Sequence, residues 1–143
     1  MAAILSHLSV APGLGNQVEY RRFIWDIAAG DAGAAAAYDI MTADGALIIV
    51  HAHAKVLASV STGSSPTIKW GITGDDDRFM NTTQGAAANL TTGAVVVPPA
   101  LEGTPNVIAT PVYLASAAKV LMTIGTATIT AGKIEFVLGL LKP

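Results

Sequence analysis

The sequence predicts an all-β protein, a single antiparallel β-sandwich of jelly-roll type with little helix. Two observations indicate this fold class. Apolar and polar residues alternate with a period of two over several short stretches, as they do in strands that bury one face. Residues typical of turns, above all glycine and proline, separate these stretches along the 143 residues of the chain. A run of seven or eight such strands is typical of a sandwich of two packed sheets.

Residues 1–17 are predicted to form an N-terminal arm, and residues 18–143 the β-sandwich domain. Pro12, Gly13 and Gly15 separate a short apolar segment from the first strand of the domain. The segment is expected to be a short helix or an extended stretch, and its apolar side chains need a partner surface. The expected assembly contacts are Ile4, Leu5, Leu8 and Val10.

The predicted strands follow one another with short connections. They lie within residues 18–30, 35–45, 46–60, 67–72, 93–99, 107–115, 119–125 and 133–141. Between the fourth and fifth of them, Asp76 to Leu90 is expected to hold a turn or two of helix, with Asp76 or Asp77 as the N-cap.

The alternation also predicts which side chains form the core. In the long run from Ala46 to Val60, every residue at an even position is apolar, and this face is expected to be buried. The complete predicted core is Phe23, Trp25, Ile48, Val50, Ala52, Val56, Met122, Ile134, Phe136 and Leu138.

The composition excludes several classes of function. Apolar residues make up 52% of the chain, charged residues only 13%, and the net charge is −2. The eight lysines and arginines are scattered, so the basic footprint of a nucleic-acid-binding protein is absent. No cysteine is present, which excludes disulfides and thiolate chemistry. His51, His53 and Lys55 interrupt the most apolar stretch, so no membrane-spanning segment is predicted. A protein made in a cytoplasm fits these properties.

The stretch "GALIIVHAHAK", Gly45 to Lys55, holds the one pattern with metal-binding character. A glycine, five residues and then His-x-His resemble the start of the first metal-binding motif of the cupin family. His51 and His53 lie on the same, less apolar face of the predicted strand. This resemblance implies a metal-binding enzyme that uses His51 and His53 as ligands.

The match to the cupin motif ends after the second histidine. The cupin family has a glutamate four or five positions later, where this chain has Leu57 and Ala58, and no histidine follows His53. Two imidazoles alone rarely hold a catalytic metal. We therefore expect no cofactor, no functional metal and no catalytic residue. The consecutive aspartates Asp75, Asp76 and Asp77 are interpreted as a polar turn, because calcium loops place their ligands at alternate positions.

The C-terminal third carries a second resemblance. In the stretch Ala117 to Leu141, "KVLMTIG", "TATITAG" and "KIEFVLGLL" form a strand, a Thr/Ala/Gly-rich connection and a final strand. "IKWGITGDDDRFMNTT", Ile68 to Thr83, adds a short strand, a Gly-Asp turn and then an aromatic residue in a helical turn. These stretches, about a third of the chain, are similar to those of the small head decoration (cement) proteins of tailed bacteriophages.

This resemblance implies a non-enzymatic virion protein. Such a protein would form a homotrimeric β-sandwich on the capsid exterior, bind the major capsid protein and bridge neighbouring capsomers. Two other functions stay open at this point: the cupin-like enzyme built on His51 and His53, and a binding module for a receptor or glycan.

Overall fold

The computed structural model describes residues 4–8, 17–61, 63–98 and 111–143. Of Ile4–Leu8 only the backbone is described. In these residues the chain forms two short 3-10 helices, Ile27–Ala29 and Ala87–Asn89, and ten strands. The strands are β1 (Ile4–Leu8), β2 (Glu19–Asp26), β3 (Ala36–Thr42), β4 (Leu47–Ala58), β5 (Thr67–Ile72), β6 (Asp75–Met80), β7 (Val95–Val96), β8 (Val112–Leu114), β9 (Lys119–Gly125) and β10 (Lys133–Leu141). No helix among the described residues is long and apolar enough to cross a membrane.

The strands pair in a nested order. β2 pairs with β10, β3 with β9, β4 with both β7 and β8, and β5 with β6, each time antiparallel. The result is a six-stranded sheet, in the order β1-β2-β10-β4 with β7 and β8 both on the far edge of β4, and a four-stranded sheet, in the order β3-β9-β5-β6. This double-sheet arrangement is a jelly roll. The predicted fold class, an all-β antiparallel sandwich, is confirmed.

The core lies between the two sheets and is built around large aromatic side chains. Trp25, Trp70, Phe79 and Phe136 are all at most 1% exposed. The ring of Trp70 on the four-stranded sheet lies 4.9 Å, centroid to centroid, from that of Phe136 on the six-stranded sheet. Aromatic contacts at this distance join the inner faces of the two sheets. Eight of the ten predicted core residues are buried: Phe23, Trp25, Ala52, Val56, Met122, Ile134, Phe136 and Leu138.

The predictions for Ile48 and Val50 are wrong, because β4 contains a bulge. Gly139 on β10 pairs with His51, but the next residue, Leu140, pairs with Ile49, so β4 has one residue more than its partner. The extra residue reverses the alternation along β4. Leu47 and Ile49 are consequently buried, whereas Ile48 and Val50 are only half-buried.

The prediction of a turn of helix within Asp76–Leu90 is right, but the predicted N-cap at Asp76 or Asp77 is wrong. Asp75–Met80 is a strand, β6, that forms a hairpin with β5, and the only helix in the Asp76–Leu90 stretch is the 3-10 turn Ala87–Asn89. Phe79 and Met80 at the end of β6 are fully buried against the core. The packing of these two side chains favours the extended conformation over the polar turn that the aspartates indicated.

The N-terminal segment joins the sheet through its backbone. β1 pairs antiparallel with β2, with Ile4 opposite Ile24 and Leu8 opposite Tyr20. Val10 lies outside the described residues, as does most of the remaining arm. The boundary between arm and domain, and the assembly contacts expected of Ile4, Leu5, Leu8 and Val10, therefore stay predictions.

Candidate functional site

The outer face of the six-stranded sheet carries both histidines of the cupin-like motif. On β2 and β4 the side chains between buried residues lie on the side away from the core, and strand pairing places Glu135, Val137 and Gly139 of β10 on the same side. The strand register arranges them in three rows: Tyr20, Gly139 and His51; Arg22, Val137 and His53; Ile24, Glu135 and Lys55. We call these nine residues, together with Val95 opposite Lys55 and Tyr113 opposite Ile48, the histidine face.

The two histidines contact one another directly. Nε2 of His51 lies 2.7 Å from Nδ1 of His53, and the two rings meet edge to face with centroids 5.0 Å apart. One nitrogen of this contact donates and the other accepts, so the contact holds a single hydrogen. Two imidazolium ions in the same arrangement would repel each other.

A glycine allows the aromatic side chains to approach the sheet closely. A Cβ atom added to Gly139 would lie 2.9 Å from the Cβ of His51 and 3.2 Å from a ring carbon of Tyr20. The ring centroids of Tyr20 and His51 are 6.1 Å apart. The side chains of Tyr20 and His51 thus meet across the backbone of β10, where any larger residue would push them outward.

The surroundings lower the pKa of His53. Burial disfavours the charged imidazolium most, and the neighbouring His51 adds to the effect, while the carboxylate of Glu135 opposes it. His53 therefore favours its neutral form in the folded protein.

We expect the folded protein to lose stability through His53 on mild acidification. Because the pKa of His53 is lower when folded than its value near 6.5 in the unfolded chain, the unfolded state binds the proton more readily. The free energy of unfolding should fall as the pH drops from 6.5 toward the folded-state pKa. Urea unfolding between pH 7.5 and 5.5, compared with His53→Gln, measures this contribution. A variant with the same pH dependence as the wild type would contradict it.

The ionic groups of the histidine face are two cations and one carboxylate. The guanidinium of Arg22 donates from Nε to Oε2 of Glu135 at 3.0 Å, and its Nη2 contacts the same oxygen. Lys55 lies opposite Glu135 in the β4–β10 register but makes no ion pair with any described residue. The face therefore keeps an uncompensated positive charge.

The described residues do not assemble a metal site around the histidines. No group of three or more His, Asp or Glu side chains in them is placed to hold a metal ion. Leu57 and Ala58, at the positions of the cupin glutamate, end β4 as a half-buried and an exposed apolar residue. The expectation that His51 and His53 hold no functional metal stays a prediction.

The three aspartates of β6 are occupied by interactions within the protein. Lys69 Nζ lies 2.6 Å from Asp76 Oδ2, and Arg78 Nη1 lies 3.2 Å from Asp75 Oδ2. Burial raises the pKa of Asp77, as do a hydrogen bond with Asp75 and the negative charges of Asp75 and Asp76. These contacts favour a structural role for the aspartates within the sheet.

Sequence reasoning missed the apolar character of the histidine face. The large hydrophobic side chains exposed among the described residues are Tyr20, Val95, Val97 and Tyr113, at 39% to 63% exposure, and all belong to strands of the six-stranded sheet or directly follow one. Val95 and Val97 flank the buried Val96, and Tyr113 precedes the buried Leu114. The alternation of apolar residues between the two faces of these short strands is the sequence signal that could have indicated the exposed side chains.

Comparison with known proteins places the chain in a class defined by its fold. No protein-family model matches it, and no curated protein matches its sequence. The fold, however, is shared with chains found in the capsids of bacteriophages.

Three solved structures show this similarity. The chain matches one from the Cyanophage Pam1 capsid asymmetric unit, with a TM-score of 0.59 and 13% identity, over 95% of this chain and 92% of the other. It matches one from the acidic stable capsid of Helicobacter pylori bacteriophage KHP30, with a TM-score of 0.61 and 8% identity, over 98% and 94%. It matches one from the capsid of Ralstonia phage GP4, with a TM-score of 0.58 and 17% identity, over 95% and 91%. At these identities the comparisons establish a common fold.

Proposed function

We propose that the chain is a non-enzymatic structural protein of a bacteriophage virion. The observation that carries this proposal is the match over nearly the full length of chains from three phage capsids. A match of this extent means that the whole sandwich, and not one motif, is common to the four chains. The charges of two of the three β6 aspartates, Asp75 and Asp76, are taken up by ion pairs within the protein, as expected of a molecule that works by shape and association.

The finer proposal is that the protein decorates the head exterior. The resemblance of the stretch Ala117 to Leu141 to phage cement proteins supports this role. A small protein that binds across the contact between capsomers stabilises the assembled shell by mass action, since it binds the assembled form alone. In this proposal its partners are the major capsid protein and two further copies of itself, and its location is the outside of the virion.

Heads assembled from the major capsid protein alone test this role. We expect the purified protein to cosediment with these heads and to raise the temperature at which they disrupt. Light scattering on the protein alone should give the mass of a trimer. If the protein instead builds closed shells by itself, it is the shell subunit and the decoration role is wrong.

Deleting residues 1–15 tests whether the N-terminal arm contacts another subunit of the trimer or the capsid surface. Burying Ile4, Leu5, Leu8 and Val10 against a neighbour contributes ~1.5–3 kcal/mol for each side chain before ordering costs. A truncated protein that is monomeric by light scattering places the arm in the trimer. A truncated trimer that no longer binds heads places it on the capsid. Unchanged mass together with unchanged binding would show that the arm makes neither contact.

A further inference from the structure

We propose that the histidine face is the surface by which the protein docks on the head, and that its partner there is an acidic patch of protein surface. The carboxylates of that patch would face Lys55 and the His51–His53 pair. The inference rests on the proposed function and adds to it which face is used and what chemistry it meets.

The charge distribution between the two sheets is the first support. The strands of the six-stranded sheet carry four cations, Arg21, Arg22, Lys55 and Lys133, against three carboxylates, Glu19, Asp26 and Glu135. The strands of the four-stranded sheet carry three cations, Lys69, Arg78 and Lys119, against four carboxylates, Asp39, Asp75, Asp76 and Asp77. The six-stranded sheet is thus net positive in a chain whose net charge is −2. Complementary charge selects an acidic partner for this sheet.

The excess charge is concentrated at one residue. Arg21 bonds Glu19, Arg22 bonds Glu135, and Lys133 lies 3.1 Å from Asp26. Lys55 is left as the cation of this sheet that has no ion pair within the described part of the chain. A carboxylate from a partner gives Lys55 the counter-ion that its own sheet does not supply.

The distribution of exposed apolar side chains is the second, independent support. Tyr113 is 63% exposed and Val95 58%, and both lie on the same face as Lys55. Val95 lies directly opposite Lys55, and Tyr113, opposite Ile48, extends the exposed apolar surface along the same face. In a protein–protein contact, apolar area of this kind supplies affinity and charge supplies selectivity.

The histidine pair links this contact to pH. His51, His53 and Lys55 follow one another at alternate positions along β4, with successive Cα atoms about 7 Å apart. Carboxylates placed over this row therefore face all three side chains. The charged and titratable groups around the pair are Tyr20 and Arg22 from β2, Glu135 from β10 and Lys55 from β4 itself. β8 adds the hydroxyl of Tyr113, and β7 adds only the apolar Val95. A docked carboxylate favours the imidazolium that the free protein disfavours, so docking takes up a proton and strengthens as the pH falls.

The test measures binding of the full chain to undecorated heads at pH 7.5 and pH 5.5. If docking raises the pKa of one imidazole by one unit, affinity increases by up to about tenfold between these two values. We expect this increase for the wild type and its loss in His53→Gln. Lys55→Glu should weaken binding at both pH values by about tenfold or more, since it sets like charges against each other.

Lys119→Glu is the matched control, because it reverses the charge of a lysine that lies on the four-stranded sheet, away from the histidine face. It should bind heads with wild-type affinity and the wild-type pH dependence. Thermal melts of the three variants verify that each is folded. Light scattering on Lys55→Glu should give the wild-type mass.

The outcomes separate the two proposals. A wild-type protein that does not bind heads overturns the proposed function, and this inference with it. Wild-type binding that Lys55→Glu leaves unchanged overturns this inference alone. A reduced mass of Lys55→Glu would identify a second copy of the chain as the acidic partner, which also contradicts docking on the head.

Discussion

Replacing Leu138 with alanine should lower the free energy of unfolding by about 2–5 kcal/mol, the range for a buried leucine truncated to alanine. Leu138 is 0% exposed at the centre of β10, which pairs on both sides. Its neighbour across the β4 ladder is Ala52, a side chain too small to fill the cavity left behind. Because the sheet holds the backbone in place, the site cannot collapse around the missing atoms.

Urea unfolding of Leu138→Ala, with Leu121→Ala as the control, measures this loss. Leu121 lies on the outer face of β9 and is only half-buried, so its truncation removes less area from the core. Equal losses for the two variants would mean that β10 does not have the register described above.

Replacing Gly85 with alanine should lower the free energy of unfolding at least as much as Leu138→Ala does, but for a different reason. A Cβ atom added at residue 85 would lie 1.6 Å from the carbonyl oxygen of Ile68. The backbone of Gly85 also accepts a hydrogen bond from the N–H of Ile68 at 2.8 Å and donates one to Asn81 at 2.8 Å. The added methyl group must therefore push the segment that contains residue 85, after the end of β6, away from β5. Overpacking of this kind costs about 1–3 kcal/mol and occasionally more, and the two hydrogen bonds add to the cost.

Gly63→Ala provides the matched control, since a Cβ atom added at Gly63 meets nothing within 4 Å. We expect its thermal midpoint to stay close to that of the wild type, while Gly85→Ala melts several degrees lower or fails to fold. If both variants melt at the wild-type temperature, the close approach of residue 85 to Ile68 is wrong.

The sequence predicted the strands well where one face alternates over many residues. The predicted bounds of β5, β9 and β10 are those of the structure. Phe23 and Trp25 on β2, and Phe136 and Leu138 on β10, are buried as their spacing indicated. On β2 and β9, in particular, a regular pleat places every second apolar side chain in the core, so the local pattern determines the outcome.

The failures arise where a distant strand decides the local structure. The bulge in β4 depends on its pairing with Gly139 and Leu140, and no local feature of "LIIVHA" indicates which residue is the extra one. β6 begins with three aspartates, a pattern that predicts a polar turn, because nothing in the local sequence shows that Lys69 on β5 takes up the charge of Asp76.

The candidate site was predictable only in part. The shared face of His51 and His53 follows from their spacing, but their contact with each other does not. The neighbours of the pair on β2 and β10 come from elsewhere in the chain, since Tyr20 and Gly139 are brought to His51 by strand pairing. The histidine face thus depends on strand pairings that no single stretch of sequence shows.

The nested pairing of the strands has a consequence for how the chain folds. The β5–β6 hairpin closes a loop of a few residues, whereas β2 meets β10 by joining Asp26 to Lys133, more than a hundred positions later. Closing a long loop is slow when the intervening chain is unstructured, and each inner pair that forms first shortens the loop left for the next. Folding is therefore expected to proceed outward from β5–β6, through β9 and β4, and to end with β2 and β10. β2 and β10, which bring Tyr20, Arg22 and Glu135 to the histidine face, are joined last, so this face is complete only when the rest of the sandwich has formed.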